Sequence, residues 1–117
     1  MRKTLMSSVA VAIAAFMLAG PVHAVNVLTA KNGMTLYVFD KDSGGKPTCY
    51  ADCAKHWPPY LGTAGAAKNE NWTLVQRQDG SMQWAYDGKP VYFYADDKKK
   101  GDMKGDGEGG AWHIVTE

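Results

Sequence analysis

The chain lacks an excess of charge, a long apolar run and a helical period. Its 13 Lys and Arg stand against 12 Asp and Glu. So even a balance builds no basic face, which argues against nucleic-acid binding. The longest apolar run is Val9 to Gly20. About a dozen residues fall short of a bilayer span, so no transmembrane segment is expected in the mature protein. Long apolar stretches are few elsewhere, which argues against a Rossmann domain and a helical bundle. Cysteine is confined to Cys49 and Cys53. No His follows the second of them directly, as a c-type haem site requires. There is no G-x-S-x-G, so no hydrolase nucleophile elbow is present.

What is there begins with an export signal. Arg2 and Lys3 make a positive start, Val9 to Gly20 is the apolar region, and Val22-His23-Ala24 places small residues at the cleavage positions. Cleavage is expected after Ala24. Without Arg2 and Lys3 the net charge moves from +1 to −1. All four Trp, all six Tyr and two of the three Phe lie in the mature part. Those rings can build the core of one small domain, with a thin margin. Abundant glycine beside them points to short strands and many turns.

The mature chain repeats itself at an offset of 55. Gly33 falls on Gly88, Leu36 on Val91, Tyr37 on Tyr92, Phe39 on Tyr94, Asp42 on Asp97 and Trp57 on Trp112. The two units run from about 25 to 61 and from about 80 to 117. Residues 62–71 read as a surface linker. Asn32-Gly33 and Asp87-Gly88 are the strongest hairpin turns. The first joins Val25–Thr29 to Thr35–Phe39, and the second joins Met82–Tyr86 to Val91–Tyr94. Trp72–Arg77 and Trp112–Val115 add strands, and a helical turn is expected near Ala51–His56, stopped by Pro58-Pro59. The fold class is therefore mostly β: a small antiparallel domain of two pseudo-symmetric repeats, neither stable alone.

The repeated residues carry the first candidate site. In Tyr37-x-Phe39-x-x-Asp42 and Tyr92-x-Tyr94-x-x-Asp97 the rings two apart share one strand face. Rings from both halves are expected to stack across a pseudo-twofold centre, with the carboxylates accepting bonds from loop N–H groups. The alternative lines a groove with the tyrosine hydroxyls and aspartates.

This doubled pattern resembles the family of secreted bacterial repeats of unknown function, also described as predicted lipoproteins with a Yx(FWY)xxD motif. Cys49-Tyr-Ala-Asp-Cys53-Ala-Lys-His-Trp57-Pro58-Pro59 and Gly101-Asp-Met-Lys-Gly105 through Ala111-Trp112-His113-Ile-Val115 are similar to two further stretches of that family. The resemblance implies an exported envelope protein with no established catalytic residues. A lipid-anchored form needs a Cys after the small residues of the signal, but Pro21 follows Ala19-Gly20. A periplasmic or secreted form is expected instead.

Cys49 and Cys53 are even in number and exported, which favours a structural disulfide. The sharper alternative is a periplasmic metal-handling or thiol-redox protein, with the two thiols either binding a metal or exchanging disulfides. Cys49, Cys53 and His56 offer two soft sulfurs and an imidazole within eight residues, suited to copper or zinc. Met34, Met82, Met103 and His113 are possible further ligands. Asp102, Asp106 and Glu108 lie in a lysine- and glycine-rich loop that fails the EF-hand order and is expected to be solvated. His56 and His113 are expected as partly exposed imidazoles beside Trp57 and Trp112, and a hydrolase using His and Asp is the weakest reading. The expectation is a monomeric, non-enzymatic binding or protective domain with no catalytic residues and no cofactor, acting on an unknown envelope ligand or protein.

Overall fold

A computed structural model describes residues 26–117. The signal segment and its cleavage point lie outside the described residues. Strand β1 is Tyr37–Phe39, helix α1 is Asp52–His56, and β2 is Leu61–Gly62. Then come β3 (Trp72–Gln76), β4 (Met82–Tyr86), β5 (Lys89–Pro90), a 3-10 turn (Glu108–Gly110) and β6 (Trp112–Ile114). The protein is mostly β and antiparallel, as its composition and turns require. No helix among the described residues is long and apolar enough to cross a membrane.

Two sheets form. β1 pairs with β6, setting Tyr37 against Ile114 and Phe39 against Trp112. In the second sheet β4 lies between β2 and β3 and also turns back onto β5. Asp87 and Gly88 both have positive φ, 50° and 81°. Two such residues make the primed turn that matches strand twist, so β4 and β5 close a two-residue hairpin. The Asn32-Gly33 hairpin is looser. Only Gly33 takes positive φ there. The Ala30 N–H bonds the Met34 carbonyl at 2.9 Å, across a wider loop.

The two repeats pair with each other. The motif strand of each repeat pairs with the Trp segment of the other. The Asp40 N–H donates to the Ala111 carbonyl at 2.8 Å, and its counterpart Ala95 donates to His56 at 2.8 Å. Tyr37 and Tyr92 meet at the centre, exchanging backbone bonds of 2.9 Å each way. The halves are therefore interlocked around a pseudo-twofold axis between those two tyrosines. Residues 91–94 do not form a continuous strand, unlike β1. Their partner is Pro58-Pro59, and proline supplies no N–H to the ladder. The Phe93 N–H still bonds the Pro58 carbonyl at 2.7 Å, and Tyr92 bridges Pro59.

Two cores result. The first gathers Leu28, Ala30, Leu36, Trp84 and Val91. The second gathers Tyr37, Cys49, Trp57, Tyr92 and Trp112. Gly62 belongs to β2 and not only to the linker. A Cβ there would lie 2.7 Å from the Trp84 indole nitrogen and 2.8 Å from Leu74. Only glycine lets β2 lie this close. Residues 63–71 beyond it are exposed.

Candidate functional site

The repeated motif builds the centre of the molecule. The Tyr37 hydroxyl donates to Asp97 Oδ2 at 2.7 Å, and the Tyr92 hydroxyl donates to Asp42 Oδ2 at 2.8 Å. Each tyrosine thus bonds the aspartate of the other repeat. The second oxygen of each carboxylate takes loop donors. Asp97 Oδ1 accepts the Lys104 N–H at 3.0 Å. Asp42 Oδ1 accepts the Thr48 N–H at 2.8 Å and its hydroxyl at 2.7 Å. Burial pushes both tyrosine hydroxyls far above their ordinary pKa, and the bonded carboxylates push further. A neutral hydroxyl can donate to a carboxylate, whereas a phenolate facing it would be repelled.

The rings stack around the same axis. Trp57 and Trp112 lie parallel, with centroids 3.8 Å apart and planes 1° apart. Phe39 covers the outer face of Trp112 at 4.0 Å, and Tyr94 covers Trp57 at 4.3 Å. Tyr37 meets Trp57 edge-on at 5.2 Å, and Tyr92 meets Trp112 edge-on at 5.2 Å. Four stacked rings and two edge contacts thus repeat each other across the axis. Each such contact adds about 0.5–1.5 kcal/mol beyond the area it buries. Gly105 closes the stack. A Cβ on it would lie 2.6 Å from Trp57 Cη2.

Comparison with known proteins matches the family described as a secreted repeat of unknown function, over residues 26–60 and again over 73–116. The chain belongs to that family. No curated protein and no solved structure matches the chain. Tyr37, Asp42, Tyr92 and Asp97 tie the two halves together, and their side-chain oxygens are bonded within the fold.

The cysteines of the secreted-repeat domain are joined. Cys49 and Cys53 form a disulfide with their Cα atoms 5.2 Å apart. Cys49 is buried in the second core beside Trp57. Its carbonyl accepts a 2.9 Å bond from Arg77 Nη2, while Arg77 Nη1 bonds Gln83 Oε1 at 2.7 Å. Gln83 in turn donates to the Val91 carbonyl at 2.9 Å. Arg77 is itself buried, with its guanidinium 4.3 Å from the Tyr50 ring centroid. This tie between the bridge and the second sheet is absent from the sequence reading. Its one signal is a cation at the end of the alternating run Trp72–Arg77.

The remaining candidates lie apart. His56 is exposed at the end of α1, and no group of three or more His, Cys, Asp or Glu able to hold a metal ion occurs among the described residues. Asp102 Oδ2 accepts the N–H groups of Lys98 and Lys99 at 2.8 and 3.2 Å. Asp106 Oδ1 accepts the N–H of Ile114 at 3.1 Å. Asp102 thus braces its own loop, and Asp106 ties that loop to β6. His113 Nε2 lies 2.8 Å from Asp40 Oδ2, beside a cleft of about 380 Å³ lined also by Val38, Tyr86 and Lys89. Thr116 lines that cleft too, and among the described residues no serine or cysteine does.

A further aromatic group was not singled out by the sequence. The β3–β4 register puts Trp72 against Tyr86 and Leu74 against Trp84. The β2–β4 register brings Tyr60 alongside Trp84, whose N–H donates to the Tyr60 carbonyl at 2.8 Å. Trp72 and Trp84 are 6.0 Å apart and nearly perpendicular, and Tyr60 is 6.1 Å from Trp72. Lys68, from the exposed loop, places its Nζ 5.5 Å from the Tyr60 centroid, 5.1 Å from Trp72 and 5.0 Å from Trp84.

Proposed function

We propose that this secreted-repeat protein is a non-enzymatic binding domain of the bacterial cell envelope. On this reading it is periplasmic or secreted, cleaved after Ala24, monomeric and without a lipid anchor. One observation supports the reading: four half-buried rings border the first core beside the buried Trp84, whereas the second core buries four of its rings and leaves only Phe39 and Tyr94 half-buried. Tyr37, Tyr92, Trp57 and Trp112 are buried. Tyr60, Trp72, Tyr86 and Phe93 lie half-buried at the rim of the first core. Half-exposed rings on a paired sheet offer a rigid, apolar surface with a directional face. That surface, and not the motif, is the binding site on this reading.

The Cys49–Cys53 bridge is structural here. Copper or zinc handling by Cys49, Cys53 and His56 needs free thiolates, and the joined sulfurs speak for the bridge. The full chain is expressed for export, purified from the periplasm, mixed with envelope extract and weighed by native mass spectrometry. A small-molecule adduct lost in Trp72→Leu is the expected result. No adduct of any kind, or turnover in a broad substrate panel, overturns the binding reading. A copper or zinc adduct that vanishes in Cys53→Ser puts the metal reading in its place.

A further inference from the structure

We infer that Tyr60, Trp72 and Trp84 form a cage for a quaternary ammonium group, and that Lys68 is its internal tenant. The inference rests on the binding reading and names the ligand class for that face. Its basis is geometric. Three rings turn toward one point, and one ammonium lies 5.0–5.5 Å from all three centroids. Two of the ring pairs are nearly perpendicular, at 85° and 86°, so the rings enclose a corner and do not form a stack. Ring faces carry negative quadrupole charge, and several faces around one point favour a cation there.

Lys68 has no carboxylate within ion-pair distance among the described residues. The rings are its counter-charge. A primary ammonium is a poor permanent guest for such a site. It has three N–H donors, and ring faces satisfy them weakly compared with water. A trimethylammonium group has no donor to leave unsatisfied, and its methyl groups pack on the rings. Lys68 holds the site because its loop tethers it there, which gives it a high local concentration. That loop, residues 63–71, is exposed throughout, so the tenant can leave without unpacking a core. A free ligand therefore competes with Lys68, and its apparent affinity is reduced by the occupied fraction.

Choline chloride is the probe, titrated against tryptophan emission with sodium chloride at matched ionic strength as the reference. The expected result is saturable binding to Lys68→Ala at concentrations at least about tenfold below those needed for the wild type. Trp72→Leu in the Lys68→Ala background removes the response. Tyr60→Leu serves as the second cage variant, and far-ultraviolet dichroism shows whether either remains folded. Vesicles of phosphatidylcholine form a parallel arm. Sedimentation with vesicles but no response to free choline supports the cage and assigns its guest to a lipid headgroup. No response of folded Lys68→Ala in either arm overturns the inference and leaves Lys68 a structural latch. An extract-derived adduct that still depends on Trp72 in that case preserves the binding reading while removing its cationic ligand.

Discussion

Replacing Tyr37 by Phe should cost more than replacing Tyr92 by Phe, although the two residues are equivalent in the repeat. Both changes keep the ring and its edge contact with a tryptophan. Only the hydroxyl is lost. At Tyr37 that hydroxyl donates to Asp97, which is 7% exposed, and accepts the buried Gly105 N–H at 3.2 Å. Its removal strands one carboxylate oxygen and one amide inside the protein. A bond to a charged group is worth about 1.5–3 kcal/mol, and a stranded buried group adds a further about 1–3 kcal/mol. We expect a loss of about 3 kcal/mol for Tyr37→Phe, since such terms overlap. At Tyr92 the acceptor Asp42 is only half-buried, and water can replace the lost donor. We expect about 1–1.5 kcal/mol there. Urea unfolding followed by tryptophan emission measures both, with the slope checked for constancy. Equal losses, or a larger loss at Tyr92, would refute the argument that burial of the acceptor sets the cost.

Three further outcomes follow from the same contacts. Gly105→Ala should destabilise by about 1–3 kcal/mol, because its methyl meets the Trp57 and Tyr94 rings; a melting point unchanged from wild type would show that the stack yields freely. Reducing Cys49–Cys53 should cost about 2 kcal/mol, the chain-entropy value for so short a loop, and lower the melting point by roughly 8–16 °C; heating with and without reductant reads this directly. The raised Tyr37 and Tyr92 hydroxyls make stability fall at alkaline pH. Their contribution is complete below the unfolded tyrosine pKa of about 10 and declines above it, since the unfolded chain then releases protons that the folded one keeps. Each hydroxyl steepens the decline by about 1.4 kcal/mol per pH unit, so Tyr37→Phe should flatten the profile between about pH 10 and 12; an unaltered slope would remove Tyr37 as its source.

Much of the secondary structure was legible because it rests on local rules. Asp87-Gly88 allows two successive positive φ values, and alternation in Trp72–Gln76 suits a strand with one covered face. The helical turn ends where Pro58-Pro59 blocks it. The Asn32-Gly33 loop was read less well, because a dipeptide does not report the width of the loop around it. Residues 91–94 carried a strand pattern, but the prolines of their partner interrupt the ladder. Partner chemistry is invisible in a one-strand pattern. Arg77 and Lys68 were missed for a related reason: a cation beside a polar turn looks solvated until the partners that cover it are known.

The doubling, the paired rings, the family resemblance and the candidate bridge between Cys49 and Cys53 can all be read along the chain. These follow from residue identity and spacing. The tertiary structure alone decided that Tyr37 takes Asp97 and Tyr92 takes Asp42, across separations of 60 and 50 residues. A repeat is silent on this point, since each motif would satisfy the same period whether it closed on itself or on its partner. The choice is made by the ladder at the axis, where the Tyr37 and Tyr92 backbones bond each other. It is made again by the loop that carries Lys68 over three rings drawn from separate segments. Contacts of that kind depend on which surfaces the folded chain brings together, and no local pattern encodes them.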